Sequence, residues 1–511
     1  MGWMERAMIK MVEPVFSFQW TDRWKNTGGK QGDFVIGKAR AAFGRKGTTP
    51  VGLSIQERLR HSFKLGGTGS GKSVSVLGEM LRDVKAGQPF MALDPHDTIQ
   101  KLLRLIASRV VSGEIPEATL DNIILVSPGH DGWCVRINPL ECPSPEKAPV
   151  RIAPVMELLR VFWGSALGPQ THEFTQNFLT LLAERKLPLA RAPETLIDTA
   201  ALRAHASNLL SHRAREYFLN RFLAWSPRRR SQVMEAFLNK ITIFLSDPRI
   251  AAMLDSGISD FDFREAMDRG KTVLIEINKG QFFDSVGLLA SMILVSLQQA
   301  TFSRADLPET ARSPYFMVIE EFPSFAGSVT VEPFLNESRK FGVGLTLIAQ
   351  TLASIDRALL SSLRANCYTQ IFFRLSPEDA RIASAGLTGE VRDLIGRELV
   401  ELPIGTAMLM QGGSTPRRLL VDHTKVPSTT SRREKNIIER IRRNVGQPLN
   451  LSSQPDQTYR GHGKRTSQGD AQRVNTRPKS QQAVKISSSS SSDRRHKSRS
   501  KSADGFFEGD I

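Results

Sequence analysis

Between about residues 61 and 140, short apolar runs alternate with longer stretches of helical period. Ser62 to Leu65 reads as a strand, Val74 to Val84 as a helix, Phe90-Met91-Ala92-Leu93 as a strand, Ile99 to Val111 as a helix and Ile123-Ile124-Leu125-Val126 as a strand. Alternation of this kind predicts βαβ units and a parallel sheet. The proline-rich break from Pro139 to Pro149 ends it, and strand signals then vanish for about 120 residues. Helical periodicity replaces them: Val233, Phe237, Leu238, Ile241, Phe244 and Leu245 fall on one face, opposite Gln232, Glu235, Asn239 and Thr242. Strand patterns return at Thr272 to Ile277, Tyr315 to Ile319, Gly344 to Ala349, Tyr368 to Phe373 and Ala407 to Met410. One sheet is therefore expected to be assembled from both sides of a helical insertion.

This patterning divides the chain into a sheet domain over 61–149 and 269–426, an all-α insertion over 150–268, a β-containing lead-in over 1–60 and a tail over 427–511. Phe34-Val35-Ile36-Gly37 is the best strand candidate in the lead-in. In the tail a charged helix candidate, Glu434 to Arg443, gives way to Ser, Gln, Lys and Arg-rich sequence with a six-serine run at Ser487 to Ser492. That composition cannot bury enough apolar area to fold alone and predicts disorder.

The strongest chemical signal follows the first strand. Gly66-Gly67-Thr68-Gly69-Ser70-Gly71-Lys72-Ser73 has the spacing G-x-x-x-x-G-K-S. Glycines let backbone N–H groups turn inward around phosphates at a helix N-terminus, so the run predicts a bound nucleoside triphosphate. Lys72 would reach the terminal phosphates and Ser73 would hold Mg²⁺. A second half of the site is expected far downstream, where Tyr315-Phe316-Met317-Val318-Ile319 runs into Glu320-Glu321. A buried strand ending in two acids is where phosphate-loop motors place a metal-orienting carboxylate, here Glu320, and a water-activating one, here Glu321. Asp is usual at the first position. The extra methylene of Glu320 moves the carboxylate within a metal shell that tolerates little displacement, a change that can slow turnover.

Charge narrows the partners. The net charge is +17, and from Pro427 onward 18 Lys and Arg face 8 Asp and Glu, so more than half of the excess lies in the tail. This favours polyanions over acidic small substrates. Cys134, Cys142 and Cys367 form no C-x-x-C pair and read as reduced core thiols. No segment has the roughly eighteen uninterrupted apolar residues of a membrane span. Val286 to Leu297 comes nearest and reads as a buried helix. The opening aromatics Trp3, Phe16, Phe18, Trp20 and Trp24 show no cleavable-signal pattern and are expected to pack on the body or a neighbour.

Several blocks in order resemble one family. Arg60-His61-Ser62-Phe63-Lys64-Leu65 into the phosphate loop, Leu93-Asp94-Pro95-His96 and Ile137-Asn138-Pro139-Leu140 are followed by Val318 to Phe322. Ser338-Arg339-Lys340-Phe341-Gly342 then leads to Ala349-Gln350-Thr351, and Asn366 to Arg374 closes the series. Over residues 60–425 the chain resembles the HerA–FtsK superfamily of hexameric DNA-pumping ATPases, with the nearest likeness to type IV coupling proteins, the TraD/TraG-like motors of conjugation. The resemblance implies an α/β fold: a RecA-like P-loop NTPase sheet, an all-α insertion domain and a disordered basic tail. It implies Gln350 as a γ-phosphate sensor and Arg339 as an arginine finger reaching a neighbour's ATP. The family's acidic-Pro-His-Gly turn stands here as Asp94-Pro95-His96-Asp97, without the glycine. The membrane anchor common in coupling proteins has no counterpart, so the expectation is a cytoplasmic protein that meets the membrane through partners.

The reading that follows is a hexameric motor coupling Mg-ATP hydrolysis to DNA translocation in conjugative or mobile-element transfer, with a relaxase or secretion channel as partner. A HerA-like end-processing motor working with a nuclease is the alternative, and an ATP-binding nucleic-acid scaffold without hydrolysis is another. A small-molecule P-loop kinase fits poorly with the basic tail and the finger. In the insertion, Ser226-Pro227 makes a helix start followed at once by Arg228-Arg229-Arg230. Cations there oppose the helix dipole, and with Arg213, Arg215 and Arg221 they are candidates for DNA phosphate contact. In the tail, Ser487 to Ser502 is expected to bind polyanions without sequence preference, and Gly505 to Ile511 reads as a disordered end or a docking peptide.

Overall fold

The structure, a computed structural model, describes residues 34–40, 48–164, 167–282, 285–325 and 328–449. The aromatic opening, the six-serine run, the basic Ser/Arg segment and the closing Gly505 to Ile511 lie outside them.

The strands are β1 (Phe34–Arg40), β2 (Thr48–Leu53), β3 (Ser62–Leu65), β4 (Phe90–Asp94), β5 (Ile123–Val126), β6 (Trp133–Cys134), β7 (Thr272–Glu276), β8 (Tyr315–Ile319), β9 (Val343–Ala349), β10 (Thr369–Phe372), β11 (Thr406–Gln411), β12 (Arg417–Leu420) and β13 (Gln447–Pro448). Eleven of them form one sheet in the order β2-β1-β12-β11-β10-β3-β9-β8-β4-β7-β5. From β10 to β5 all neighbours are parallel, and β11, β12, β1 and β2 extend the other edge antiparallel. The parallel strands are mostly apolar and almost entirely buried because helices cover both faces. β7 pairs with β4 and β5 although about 145 residues separate Thr272 from Val126 in sequence, so the insertion leaves and re-enters between adjacent strands.

One face carries the helices Lys72–Ala86, Thr98–Val111 and Arg432–Arg443. The last corrects the tail boundary. Ile437, Ile438 and Ile441 are buried against this face, a Ser431–Glu434 capping box starts the helix, and Trp133 Nε1 donates to Glu439 Oε1 (2.6 Å). An apolar stripe narrow enough to be outweighed by charge in composition is still wide enough to seat a helix. The other face carries Ser285–Ser303, whose residues Leu288 to Leu297 are largely buried, and merges with the core of the insertion.

Between β6 and β7 the described chain holds helices and no strand. Val233, Phe237, Ile241 and Phe244 of the helix Pro227–Leu245 are buried, with Leu238 and Leu245 half-buried beside them. Phe174, Phe178, Phe222 and Phe237 pack ring against ring at 5.3–5.9 Å between centroids. All three cysteines are free and buried. Among the described residues no helix is long and apolar enough to cross a membrane.

The lead-in joins the main sheet: β1 pairs with both β2 and β12. Arg58 fixes it there. Its guanidinium lies between the rings of Phe34 and Phe316 (3.8 and 3.7 Å to the centroids) and binds Asp83 on the phosphate-loop helix at 2.9 and 2.7 Å. Beneath the same helix the fully buried Lys64 pairs with Glu79, which also accepts from Ser75 Oγ (3.0 Å). Two buried ion pairs thus set the register of the phosphate-loop helix on the sheet, where each charge has a partner within reach. His61 enters β3 in the left-handed region (φ 60°). Its buried imidazole, pushed down to about 4 by burial, stays neutral and accepts from Leu345 N–H (3.0 Å).

Candidate functional site

Seven parallel strands point their carboxyl ends to one side of the sheet, which is where open α/β sheets bind ligands. β3 stands in the middle, and its last residue, Leu65, leads into the loop. Gly66 N–H donates to Ala349 O (3.4 Å) and Gly67 N–H to Arg374 O (3.2 Å), so the loop hangs from the ends of β9 and β10. A Cβ on Gly66 would lie 2.6 Å from Phe373 Cβ and 2.7 Å from Ser70 Oγ. Gly69 (φ 75°) and Gly71 (φ 103°) occupy the left-handed region that glycine adopts without strain. Gly71 is the N-cap of Lys72–Ala86 and brings no side-chain cap, leaving the first-turn N–H groups open to an anion.

Lys72 projects from that turn into a cavity of about 650 Å³. Its Nζ donates to Ala349 O (3.0 Å) and stands 3.7 Å from Glu321 Oε1. Burial pulls the Lys72 pKa down, against the pull of Glu321 and Glu320. Ser73 is exposed on the cavity wall.

The two acids arrive from β8. Glu320 N–H donates to Leu93 O (3.0 Å), continuing the β8–β4 ladder one residue past the strand. Its side chain is 4 % exposed, and Oε1 has no hydrogen-bond partner. Burial, then the neighbouring Asp94 carboxyl, pushes Glu320 up to about 8, with a hydrogen bond from Thr98 opposing. An unpartnered carboxylate oxygen in the same cavity as the Ser73 hydroxyl fits Mg²⁺, a hard cation that takes one or two protein oxygens and completes its shell with phosphate and water. Glu321 adopts φ 51°, a left-handed conformation costly for a non-glycine residue. That backbone turns its carboxyl toward Lys72.

The raised pKa has a sign that can be measured. The folded chain holds the Glu320 proton more tightly than the unfolded chain does. This contribution to stability is full below the ordinary carboxylate range and is lost as pH rises through about 8. Glu320→Gln, neutral at every pH, is expected to raise the melting temperature of the nucleotide-free chain at about pH 8.5 and to change it little at about pH 5. An equal change at both pH values would assign the effect to packing.

Gln350, immediately after β9, reaches across to the loop, and its Oε1 accepts from Thr68 Oγ1 (3.4 Å). Lys72, Ser73, Glu320, Glu321, Gln350 and the loop residues Gly67 to Gly69 and Gly71 thus share one cavity. Gly66 and Ser70 shape the loop from below, Ser70 being buried. Arg339 is elsewhere. It lies in the turn Ser338–Phe341 ahead of β9, at the opposite end of that seven-residue strand from Gln350. It is exposed and lines a second cavity of about 510 Å³ with Arg60, Arg312 and Lys340. Arg60 stacks on Tyr368 at 3.9 Å, and Lys340 pairs with Glu337 at 2.6 Å.

His96, Asp97 and Thr98 also line the first cavity, on the turn that Asp94 holds. Asp94, at the end of β4, accepts from His96 N–H and Ile99 N–H, both at 3.0 Å, and so caps the helix Thr98–Val111 from one turn back. Asp97 stands at an ordinary negative φ and pairs with Lys101 (2.6 Å), which is how this turn closes without a glycine. Asn278, just beyond β7, and Ile404, Gly405, Val421 and His423, from the antiparallel edge, complete the walls.

No protein-family model matches the sequence, and neither does any curated protein. Solved structures do. An unbound form of the bacterial conjugative coupling protein TrwB superposes with a TM-score of 0.51 at 16% identity, over 78% of this chain and 97% of that one. The plasmid coupling protein TrwB in complex with ADP and Mg²⁺ gives 0.51 at 17% identity, over 77% of this chain and 96% of that one. Its complex with a non-hydrolysable GTP analogue gives 0.50 at 16%, over 80% and 99%. Likeness at such identity is likeness of architecture. This chain has the fold of the conjugative coupling protein TrwB, a RecA-like phosphate-loop sheet with an all-α insertion.

Proposed function

We propose that this chain is an ATPase of the coupling-protein kind that hydrolyses Mg-ATP at the interfaces of a homo-oligomeric ring, a hexamer, and moves DNA in conjugative or mobile-element transfer. The observation that carries the reading is the division of the site. Lys72, Ser73, Glu320, Glu321 and Gln350 meet at one end of the sheet, and Arg339 stands at the other. A second copy packed end to edge would bring the missing cation to the phosphates. The TrwB complexes with ADP and Mg²⁺ and with a GTP analogue support a nucleotide at this loop.

In this reading the loop amides and Lys72 hold the β- and γ-phosphates. Ser73 and Glu320 would hold Mg²⁺, which would supply positive charge to the phosphates. Glu321 orients the attacking water and takes its proton, which the strained backbone prepares by aiming the carboxylate into the cavity. Gln350, bonded to Thr68, reports the γ-phosphate from β9 to the rest of the sheet. Steady-state ATPase with and without single- and double-stranded DNA, beside Lys72→Ala, tests the proposal. Turnover stimulated by DNA and rising with protein concentration is expected. A second reading, a nucleotide-gated DNA scaffold, is favoured by Glu320 standing, buried, where Asp is usual. Turnover equal to that of Lys72→Ala with ATP and DNA still bound would select it.

DNA contact is proposed for the insertion. Arg221 is paired with Glu173 (2.8 Å), and Arg215 donates to Leu209 O (3.1 Å), so both serve the fold. Arg228 and Arg229 are exposed in the first turn of Pro227–Leu245, Arg229 stacked on Trp225 at 4.3 Å, and Arg230 is half-buried beside them. Removing Arg228 and Arg230 together is expected to reduce the slope of log affinity for duplex DNA against log salt by up to about 1.8, at roughly 0.9 for each phosphate that is no longer neutralised. An unchanged slope would move the DNA path to another surface.

A further inference from the structure

Arg339 is aimed by the turn that carries it. The residue is exposed, and no hydrogen bond or ion pair to another described residue fixes its side chain. Its direction therefore depends on the backbone of Ser338–Phe341. A helical turn of four residues leaves its last carbonyls without partners of their own. Two arginines from one distant segment take them. Arg312 Nη1 donates to Lys340 O (2.5 Å), and Arg304 Nη1 donates to Phe341 O (2.9 Å).

That segment is itself anchored. Arg304 is fully buried, and its Nε donates to Asp268 Oδ1 (2.9 Å). Asp268 is the last residue of the helix Phe263–Asp268, which closes the insertion and leads into β7. One turn earlier in the same helix, Arg264 pairs with the other oxygen of Asp268 and donates to Ser303 Oγ (3.0 Å) and Asp306 Oδ1 (2.8 Å). Arg312 folds the segment back on itself, with Nε donating to Arg304 O and Leu307 O at 3.0 Å each and Nη2 to Leu307 O at 2.8 Å. Gly342 closes the far side. At φ 73° its N–H donates to Arg339 O (3.0 Å), and a Cβ there would lie 3.1 Å from Arg312 O, so the two stretches of chain run in contact.

A guanidinium is what this set of contacts requires. Its planar fork reaches the three carbonyls of Arg304, Leu307 and Lys340 in fixed geometry, whereas an ammonium is a single point of donation. Among the described residues Arg312 has no carboxylate partner, so its bonds fix position and leave its charge in place. We propose that Arg312 and Arg304 are positioning residues for Arg339: they hold the Ser338–Phe341 turn so that its guanidinium meets the nucleotide of the neighbouring copy, and through Asp268 they tie that turn to the insertion. This rests on the role of Arg339 across the interface proposed above. A group that acts on the transferred phosphoryl and is displaced by about 1 Å can lose about 10²-fold in rate.

The test is steady-state ATPase of the full chain carrying Arg312→Ala or Arg312→Lys, each alone and mixed with Lys72→Ala, beside Arg339→Ala. Arg312 is the residue to change because it is half-buried, while loss of the fully buried Arg304 endangers the fold. Arg312→Ala is expected to lower kcat by about 10–10²-fold and to keep KM for ATP within about twofold, since its own phosphate loop lies at the other end of β9. Lys72→Ala should restore part of the rate, because it offers an intact turn to the Arg312→Ala loop. Arg312→Lys should recover little, having the charge without the fork. Loss without rescue would assign Arg312 to the folding of its own chain and overturn the proposal. Full recovery in Arg312→Lys would overturn it too, making Arg312 a charge that acts directly on the neighbour's phosphates. No loss in Arg312→Ala while Arg339→Ala is inactive would remove the positioning role and leave Arg339 standing. Full turnover in Arg339→Ala, or none in the unaltered chain, would overturn the reading on which the proposal rests, and the positioning role with it.

Discussion

Arg339→Ala is expected to lower ATP turnover by about 10³-fold or more, and mixing that variant with Lys72→Ala is expected to restore a measurable part of it. The size follows from what a guanidinium does on charge developing at a transferred phosphoryl group in a site that excludes water. The rescue follows from placement. β9 runs Val343–Ala349, with Gln350 at its end over the phosphate loop and Arg339 ahead of its start, so the Arg339 guanidinium of one chain cannot serve that chain's own loop. In a mixed ring of the proposed kind, some interfaces would pair an intact Lys72 from one copy with an intact Arg339 from the next. Neither variant alone has such an interface. Measuring turnover against mixing ratio at fixed total protein gives a curve with its maximum at intermediate composition. A straight line between two inactive ends would show that Arg339 acts elsewhere, for example in holding the turn before β9.

What was legible in the sequence was whatever depended on neighbours in the chain. The parallel strands lie where apolar runs stood, and β5 has the very bounds Ile123 to Val126 read from pattern alone, because a strand covered on both faces has no polar position to blur it. The phosphate loop and the diacid were legible because their chemistry needs particular residue types in fixed order. β12, Arg417–Leu420, was not: its residues are mostly exposed, and an edge-side strand with two arginines carries little apolar signal. The helix Arg432–Arg443 was visible as a helix but assigned to the tail, since three isoleucines among six basic residues weigh little in composition and much in packing.

The site shows the same division. Asp94 and its turn could be placed at the carboxyl end of the sheet from sequence, and His96 and Asp97 line the cavity there. Asn278 and the Ile404–Gly405 turn could not, because nothing local says which end of the sheet they close. The left-handed backbone of Glu321 was equally hidden, since Glu-Glu after an apolar run has no turn signature. That conformation is imposed by the fold around it, and residues held against their own preference are where a structure tells most about function.

That strain is the ground for the second large effect. Glu321→Gln is expected to reduce turnover by about 10²–10⁴-fold while leaving Mg-ATP affinity nearly intact, because the amide keeps the shape and hydrogen-bonding reach of the side chain and loses only its capacity to take a proton. Lys72 decides whether binding survives. Its Nζ keeps the bond to Ala349 O (3.0 Å) whatever stands at position 321, and loses only a 3.7 Å ion pair that the phosphates themselves replace. Glu321→Gln should therefore trap nucleotide: DNA binding and oligomer formation that depend on ATP persist and outlast those of the unaltered chain. Lys72→Ala separates the two functions from the other side, losing nucleotide and turnover together. If Glu321→Gln instead turned over normally while Glu320→Gln did not, the two carboxylates would exchange roles. The buried Glu320 would then have to work as base with a pKa of about 8, and the rate would climb with pH through that value.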